Sequence, residues 1–424
     1  MFKMKKDIKY ALIVPLVGGM GIGLEKATNK LPEWIVSYDA FINNDKLLLD
    51  YYQSRGLDVP YHLIDASTNN LKDLPLSNLC KVDIVGALPP CAGLSQLNAS
   101  TNTSSNSARG EDAIQNEWMY KSSRFVLENI KPKVLWGENA PNLFTGAGKK
   151  VRETLYAIAK ENGYSFSLIK TSTLLHGVPQ NRCRTFYFFW KSEFAPILNY
   201  YNRAHNGLSA YLKEIPIDAT CQDFYYQDVK IIEEYPPFEY MLESSGLSYK
   251  EYLDSRENFS TMDDIIRGNK YLDLVDWYNT KYPEGGTNKQ ERVMAKLSRV
   301  YDKTCVRKAG GYWDSGPKYD KYNTNAIISK NASWFLHPEE PRILNGRELI
   351  HLMGFPHDFS LTKKNIHAIT QNVPACTSAD WSNEVIKFIN GQLAYSESDF
   401  LMQNNISQKI YANDISINKN KVLF

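Results

Sequence analysis

The chain has 424 residues and a formal net charge of only +2, so it is long enough for two domains or for one large domain with an insertion. No run of about 18 apolar residues is present, which excludes an ordinary membrane span, and the apolar stretch near the start is too short for a secretory signal. The six cysteines show neither Cys-x-x-Cys nor paired Cys/His spacing. We therefore expect a cytoplasmic protein with no metal site and no disulfide framework.

Short apolar runs alternate with longer, helix-compatible polar segments through the first part of the chain. The runs cover residues 11–17, 34–38, 61–64, 82–88, 134–136, 166–169 and 185–190. This alternation predicts an α/β sheet with crossover helices. In such sheets ligands bind at the carboxyl ends of the strands.

The run at 82–88 ends in Pro89-Pro90-Cys91. Proline fixes its own φ and restricts the preceding residue, so this loop holds the Cys91 backbone with little freedom. A thiol on a stiff loop suits a nucleophile. The alternative is a buried free cysteine at a strand end, because cysteine is among the most buried residue types.

Further motifs follow Cys91 in a particular order, and together they resemble the DNA cytosine-5 methyltransferase family. The matching blocks are Pro-Pro-Cys-Ala-Gly-Leu-Ser at 89–95, Glu-Asn-Ala at 138–140, Gln-Asn-Arg-Cys-Arg at 180–184, and the stretches 342–348 and 352–359. The resemblance covers roughly residues 10–190 and 340–395. It implies DNA methylation of the kind found in restriction-modification systems, in a bacterial or phage-infected cell.

The resemblance also implies a Rossmann-like S-adenosylmethionine-dependent methyltransferase fold. Such a fold has a mixed, mostly parallel sheet with helices on both faces, and here it would carry an inserted, smaller target-recognition domain. We expect a catalytic and cofactor-binding domain at 1–190, the recognition domain at 191–339, and a return to the catalytic domain at 340–395 with helices at 347–353 and 382–389. A strand at 324–328 would begin this return, and the polar tail at 396–424 is interpreted as loop or disorder.

The family chemistry assigns a role to each of four residues. Cys91 would add to C6 of a cytosine flipped out of double-stranded DNA, and Glu138 would act as general acid at N3. Arg184 would approach the base oxygen, and Arg182 would steady the site. The alternatives are a solvated glutamate for Glu138, and for the arginines edge-strand charges that discourage aggregation.

The implied methyl donor is S-adenosylmethionine, although the match is poorest on this side. Glycines still permit a tight strand-to-helix turn, Asp39 stands where a carboxylate would bind ribose, and Asp65 where one would meet the adenine amine. Phe41, rather than Ala40, would supply an aromatic face. The predicted cofactor-binding set is Val14, Val17, Gly18, Gly19, Asp39, Phe41, Asp65, Pro90 and Asn372.

Gln371 replaces the glycine that the family has before its asparagine. Together with the first block, in which the family's Phe and first Gly are replaced, this departure leaves two other hypotheses open. The pocket could take a modified donor that transfers a larger group, with Gln371 as its polar partner, or the chain could be a catalytically silent DNA-binding regulator.

DNA contacts are expected from two parts of the chain, the loop after Cys91 and the region 191–339. Ser95, Gln96 and the polar loop 96–109 would close over DNA, with a solvated linker as the alternative. Phosphate contacts are expected from cations spaced along one helix face: Lys289, Arg292, Lys296, Arg299, Lys303, Arg307 and Lys308. The alternative is that these cations only form a charged surface exposed to solvent. Tyr312 and Trp313 would reach a groove or a flipped base, or belong to the core. We expect a monomer.

Overall fold

The computed structural model describes residues 7–65, 71, 74, 76–90, 92–95, 110–216, 234–309, 316–328, 334–359 and 366–406. Within these ranges no helix is both long and apolar enough to cross a lipid bilayer. In the same ranges no three His, Cys, Asp or Glu side chains come together as metal ligands would. Cys91, Gln96, Tyr312 and Trp313, and the loop 96–109, lie outside the described residues.

One large sheet contains the predicted apolar runs. Its strands are β1 (Tyr10–Ile13), β2 (Ile35–Tyr38), β3 (Tyr61–Ile64), β4 (Ile84–Ala87), β5 (Val134–Asn139), β6 (Ser165–Ser172), β8 (Cys183–Trp190) and β12 (Phe400–Asn404). They follow the order β12-β6-β8-β5-β4-β1-β2-β3. Only β8 runs antiparallel to its neighbours in this sheet. The predicted mixed, mostly parallel sheet is confirmed.

Helices cover both faces of this sheet, so the inner strands are buried on both faces, as is typical of parallel sheets. The edge strands β3 and β12 are more exposed. On one face, Tyr10 and Leu12 of β1 belong to the core formed with α1 (Gly19–Thr28), α2 (Ile42–Ser54) and α12 (Ala375–Ile389). On the other face, Ala11 and Ile13 belong to the core formed with α3 (Asn116–Phe125) and α4 (Lys149–Glu161).

The chain leaves β8 and first packs back on α12. Arg203 forms an ion pair with the buried Asp380, and the backbone N–H of Asn199 donates to Glu384 Oε2 at 3.0 Å. The segment after β8 is therefore fixed to α12, which packs on the large sheet, before the chain enters the next region.

The described part of the region predicted to recognise DNA is mainly helical. Its helices are α5 (Leu208–Leu212), α6 (Pro236–Ser245), α7 (Tyr249–Asp254), α8 (Thr261–Ile266), α9 (Tyr271–Lys281) and α10 (Asn288–Tyr301), which continues into a π-helical turn at Asp302–Val306. Two short strands, β9 (Asn258–Ser260) and β10 (Lys318–Asp320), pair antiparallel. Helices explain why strand periodicity disappears from this part of the sequence.

The return to the first domain begins with a short strand. The strand expected at 324–328 is only β11 (Thr324–Asn325), which pairs parallel with β7 (Gln180–Asn181) outside the large sheet. Helix α11 (Gly346–Leu352) and α12 follow, in agreement with the predicted helices, although α12 starts earlier than expected.

The prediction of loop or disorder for the whole tail was wrong for part of it. Residues Phe400–Asn404 form β12, which pairs in parallel with β6 at the edge of the large sheet. The ring of Phe400 stacks on Phe166 of β6, with ring centroids 5.9 Å apart. This strand is stabilised by a partner far away in the sequence, which the polar composition of the tail does not reveal.

Candidate active site

The carboxyl end of β4 leads into the loop that contains Cys91. Leu88 donates its backbone N–H to the carbonyl of Ile13 at 3.1 Å, and Pro89 is buried. Cys91 lies outside the described residues, but a short 3-10 helix, Ala92–Leu94, follows it directly. A Cβ added at Gly93 would lie 2.6 Å from the Cβ of Ala113, so only glycine allows this approach. The residues before the loop are thus fixed to β1, and those after it pack against Ala113.

Glu138 stands near the end of β5, which pairs directly with β4. Its Oε1 lies 2.5 Å from Nε of Arg184, near the start of β8, and the side chains are only 10% and 19% exposed. Burial raises the pKa of Glu138, and the positive charges of Arg184 and Arg182 offset part of this rise. A buried carboxyl paired with a guanidinium differs from the solvated glutamate of the alternative interpretation.

Arg182 is buried and directs its guanidinium at the protein backbone. Its Nη1 donates to the carbonyl of Ile327, and its Nη2 donates to the carbonyls of Thr370 and Asn372, each at 2.8 Å. Arg184 lies on β8, between β6 and β5, and Arg182 is buried between β7 and β8, so neither arginine is an edge-strand charge. Arg182 therefore links the strand that carries Arg184 to two segments that return late in the chain.

Gln180 makes a similar connection from β7. Its side-chain oxygen accepts from the backbone N–H of Ile327 at 3.2 Å, and its Nε2 donates to the carbonyl of Leu352 at 2.8 Å. Because the side chain is fully buried, these bonds satisfy an amide that would otherwise be costly to bury. The motif from Gln180 to Arg184 thus joins the segment before β8 to residues 327–372, which come much later in the chain.

The turn between β1 and α1 has an unusual backbone. Val14 and Leu16 have positive φ angles of 52° and 51°, and Gly18 has a φ of 106° at the start of α1. Positive φ is strained for bulky side chains and is common at binding sites. A Cβ on Gly19 would lie 2.0 Å from the carbonyl oxygen of Val373, so the helix start approaches that segment closely. Val17 is fully buried in the core beneath.

Asn372 borders this glycine turn and has an unsatisfied donor. The residue is 1% exposed, and its Oδ1 accepts from the backbone N–H of Val373 at 3.0 Å. Its Nδ2 has no hydrogen-bond partner among the described residues. Buried polar groups are nearly always paired, so this donor fits a ligand group that accepts a hydrogen bond beside Gly19.

Two acidic residues leave neighbouring strands at the same edge. Tyr38 of β2 pairs with Ile64 of β3, so that Asp39 and Asp65, the next residues, emerge side by side. Both are exposed. The structure thus brings the two predicted carboxylates together beside the glycine turn at the end of β1.

An aromatic residue that the sequence did not single out stands beside them. Trp118 of α3 packs on Tyr38, with ring centroids 4.5 Å apart and planes tilted by 33°, and it meets Phe41 edge to face at 5.4 Å. Phe41 closes the 3-10 turn that begins at Asp39. No periodic pattern in the sequence indicated Trp118, because its position depends on contacts with Tyr38 and Phe41, which are far away in the chain.

Gln371 is bound to another part of the chain. Asn44 of α2 donates from Nδ2 to the side-chain oxygen of Gln371 at 3.0 Å. This amide oxygen is therefore occupied by a partner within the protein.

The predicted phosphate-binding cations lie on the surface of α10 and its continuation. Arg292, Lys296, Arg299 and Lys303 are exposed, whereas Leu297 on the same helix is buried. Spacings of four, three and four place these cations on one face. Two of the other predicted cations have acidic partners: Lys289 pairs with Glu234, and Arg307 with Asp302. Ser95 follows the 3-10 helix after Cys91 and is partly exposed.

Comparisons with known proteins identify the family of this chain and support its fold. The family model for C-5 cytosine-specific DNA methylase matches residues 15–376. A type II methyltransferase of Bacillus paralicheniformis is 22% identical over 346 residues, which are 75% of this chain and 73% of the relative. A predicted type II methyltransferase of Oceanobacillus iheyensis is 21% identical over 328 residues, 64% of this chain and 71% of the relative. A crystal structure assigned to a prophage-encoded DNA modification methyltransferase of E. coli superposes with a TM-score of 0.53 at 15% identity, covering 90% of this chain and 99% of the other.

Proposed function

Because this chain belongs to the C-5 cytosine-specific DNA methylase family and is a DNA cytosine-5 methyltransferase, we propose that Cys91 forms a covalent adduct with C6 of a flipped-out cytosine. The observation that carries the proposal is the buried pair of Glu138 and Arg184. It lies at the end of β5, beside the strand whose end leads to Cys91. The carboxyl group of Glu138, the guanidinium of Arg184 and the loop that contains Cys91 therefore belong to the same end of the sheet, where β4 and β5 end.

Cys91 makes C5 nucleophilic. Cytosine C5 alone is too weak a nucleophile to attack a sulfonium methyl group, and a thiolate can both add and leave again. The Cys91 sulfur forms a bond to C6, and the C5–C6 double-bond electrons move toward C5. C5 then takes the methyl group, and the sulfonium leaves as a neutral thioether. Water removes the C5 proton, the C5–C6 double bond re-forms as the thiolate leaves C6, and N3 returns its proton to Glu138.

Glu138 supplies the proton that this addition requires. Negative charge develops in the ring as sulfur adds, and a protonated carboxyl at N3 neutralises it. The raised pKa of Glu138 keeps a proton available closer to neutral pH than an ordinary glutamate would. Arg184 orients this carboxyl and approaches the base oxygen, while Arg182 positions the strand through the carbonyls of the returning segments.

The methyl donor is S-adenosylmethionine, which supplies the methyl group as an electrophile attached to a positively charged sulfur. Asp39 accepts from its ribose hydroxyls and Asp65 from its adenine amine. The glycine turn and Asn372 Nδ2 hold its amino-acid portion, an assignment supported by that unsatisfied buried donor. Phe41 and Pro90, which are partly exposed, complete the wall of the pocket. The turn from Val14 to Gly19 contributes through its backbone, because the side chains of Val14 and Val17 are buried.

The ordinary donor is preferred to a modified one because it is the donor that the family implies. Gln371 does not decide between them, because its side-chain oxygen accepts from Asn44 while its NH2 group can still donate. A silent regulator is also disfavoured, because such a protein has no need for a buried Glu138–Arg184 pair beside a thiol loop.

DNA is held by the 191–339 region and by the loop after Cys91. The exposed cations of α10 contact phosphates, which fixes the register of the duplex without reading its sequence. Ser95, Gln96 and the loop up to residue 109 close over the flipped cytosine. The enzyme acts as a monomer on double-stranded DNA in the cytoplasm of a bacterial or phage-infected cell.

The purified protein should convert cytosine to 5-methylcytosine in duplex DNA. Incubation with labelled S-adenosylmethionine, digestion to nucleosides and mass spectrometry will identify the product. Label in 5-methylcytosine supports the proposal, and Cys91→Ala should abolish it. The matched control Cys80→Ala, which removes an exposed thiol, should retain it. Methylation by Cys91→Ala at the wild-type rate would contradict the proposal.

A further inference from the structure

Three aromatic rings are grouped beside the carboxylate proposed to bind ribose. Tyr38 ends β2, Asp39 follows it, and Phe41 closes the turn. Trp118, from α3, contacts both rings. The indole therefore belongs to the same sheet edge as Asp39, although it comes from a helix about 80 residues further along the chain.

The three rings differ in how accessible they are. Tyr38 is 1% exposed and packs in the core, so its surface is not available to a ligand. Trp118 and Phe41 are both partly exposed. Of these two, the indole offers the larger flat surface, and a purine packs best against such a surface.

The indole is also held in place. Met119, the next residue in α3, is fully buried, Tyr38 supports one side of Trp118, and Phe41 meets it edge to face. A ring immobilised in this way loses little conformational entropy when a ligand packs against it. Ala40, next to Asp39, has only a methyl group, so an aromatic surface at this position must come from another residue.

We propose that Trp118 is the aromatic side chain against which the adenine of the methyl donor packs, and that Phe41 supports the indole from its edge. This inference rests on the proposed donor and on Asp39 as its ribose ligand. It moves the aromatic contact from the segment after β2, where the sequence placed it at Phe41, to α3.

The test uses S-adenosylhomocysteine and the full-length protein. Trp118→Leu should weaken binding about tenfold by calorimetry, since it removes the stacking surface. Trp118→Phe should retain most of the affinity because it keeps an aromatic face. Adding the ligand to the wild type should change tryptophan fluorescence, and this change should vanish in Trp118→Phe but persist in the control Trp277→Phe, which removes a partly buried indole from α9.

The possible outcomes are distinct. If the wild type binds S-adenosylhomocysteine but Trp118→Leu binds it within about twofold and the fluorescence change persists in Trp118→Phe, the role of Trp118 is overturned and the donor assignment stands. If the wild type binds none at millimolar ligand, the donor assignment and this inference both fail. Should Trp118→Leu not fold, the fluorescence comparison of Trp118→Phe with Trp277→Phe decides the question.

Discussion

Arg184 and Glu138 form a buried ion pair, in which Nε of the arginine lies 2.5 Å from Oε1 of the glutamate. The pair joins adjacent antiparallel strands, because Glu138 lies on β5 and Arg184 on β8. Burial raises the pKa of Glu138, and Arg184 limits the rise. The arginine thus tunes the proton affinity of the proposed general acid as well as holding it in position.

Replacing Arg184 should move the pH dependence of the reaction. In Arg184→Gln the charge that lowers the pKa of Glu138 is lost, so the carboxyl stays protonated to higher pH. The alkaline limb of the kcat profile, where the acid loses its proton, should shift upward by about one pH unit or more, while kcat itself falls. An alkaline limb at the wild-type pH in Arg184→Gln would show that Glu138 is not the titrating acid.

Glu138→Gln should lower kcat by about 10²–10⁴, because it removes the proposed general acid.

Arg182 should matter for stability more than for direct chemistry. Arg182→Ala removes the donor to three backbone carbonyls and should lower the free energy of unfolding by about 3 kcal/mol, as expected for lost buried hydrogen bonds of a charged group. Urea denaturation measures this. The control Arg292→Ala, at an exposed position, should change it by less than about 0.5 kcal/mol. Equal stabilities of the two variants would refute the anchoring role.

The basic face of α10 should determine how DNA binding responds to salt. Reversing the charge of Arg292, Lys296 and Arg299 should weaken binding and flatten the plot of log K against log salt by up to about 0.9 per lost phosphate contact. As a control, the charges of Lys131 and Lys160 can be reversed. These residues precede β5 and β6, at the amino-terminal ends of the parallel strands. An unchanged slope in the α10 variant would mean that these cations form only a solvated surface.

Asp39 should contribute to donor affinity. Asp39→Ala should weaken S-adenosylhomocysteine binding by roughly 1–3 kcal/mol, the scale of a lost hydrogen bond to a charged group. As a control, Asp58→Ala removes an exposed carboxylate that precedes β3, at the opposite end of that strand from Asp65. It should leave the calorimetric affinity for S-adenosylhomocysteine unchanged. If Asp39→Ala and Asp58→Ala bind S-adenosylhomocysteine with equal affinity, the ribose is bound by other residues.

The sequence predicted the inner strands of the sheet well, because they are buried on both faces and appear as apolar runs. The run at 61–64 coincides with β3, and the others overlap strands with slightly different bounds. Residues 400–404 were mistaken for loop or disorder because a polar neighbourhood hides β12, which depends on pairing with β6. Local composition cannot reveal a strand whose main stabilisation comes from a distant partner.

The same limit applies to the site. Motif order placed Glu138, Arg182 and Arg184 in one region, and the structure brings Glu138 and Arg184 into contact. It did not predict that Arg182 donates to carbonyls at 327, 370 and 372, or that Trp118 lies beside Phe41. These contacts join segments far apart in the chain, and they depend on the fold rather than on local spacing.

The most direct measurement of the central proposal is covalent trapping on duplex DNA that contains 5-fluorocytosine. Fluorine at C5 cannot leave as a proton does, so the adduct between Cys91 and C6 should persist and survive denaturing electrophoresis. The wild type and Cys80→Ala should form this adduct when S-adenosylmethionine is present, and Cys91→Ser should form none. Undiminished trapping by Cys91→Ala would contradict the assignment of Cys91 as the nucleophile.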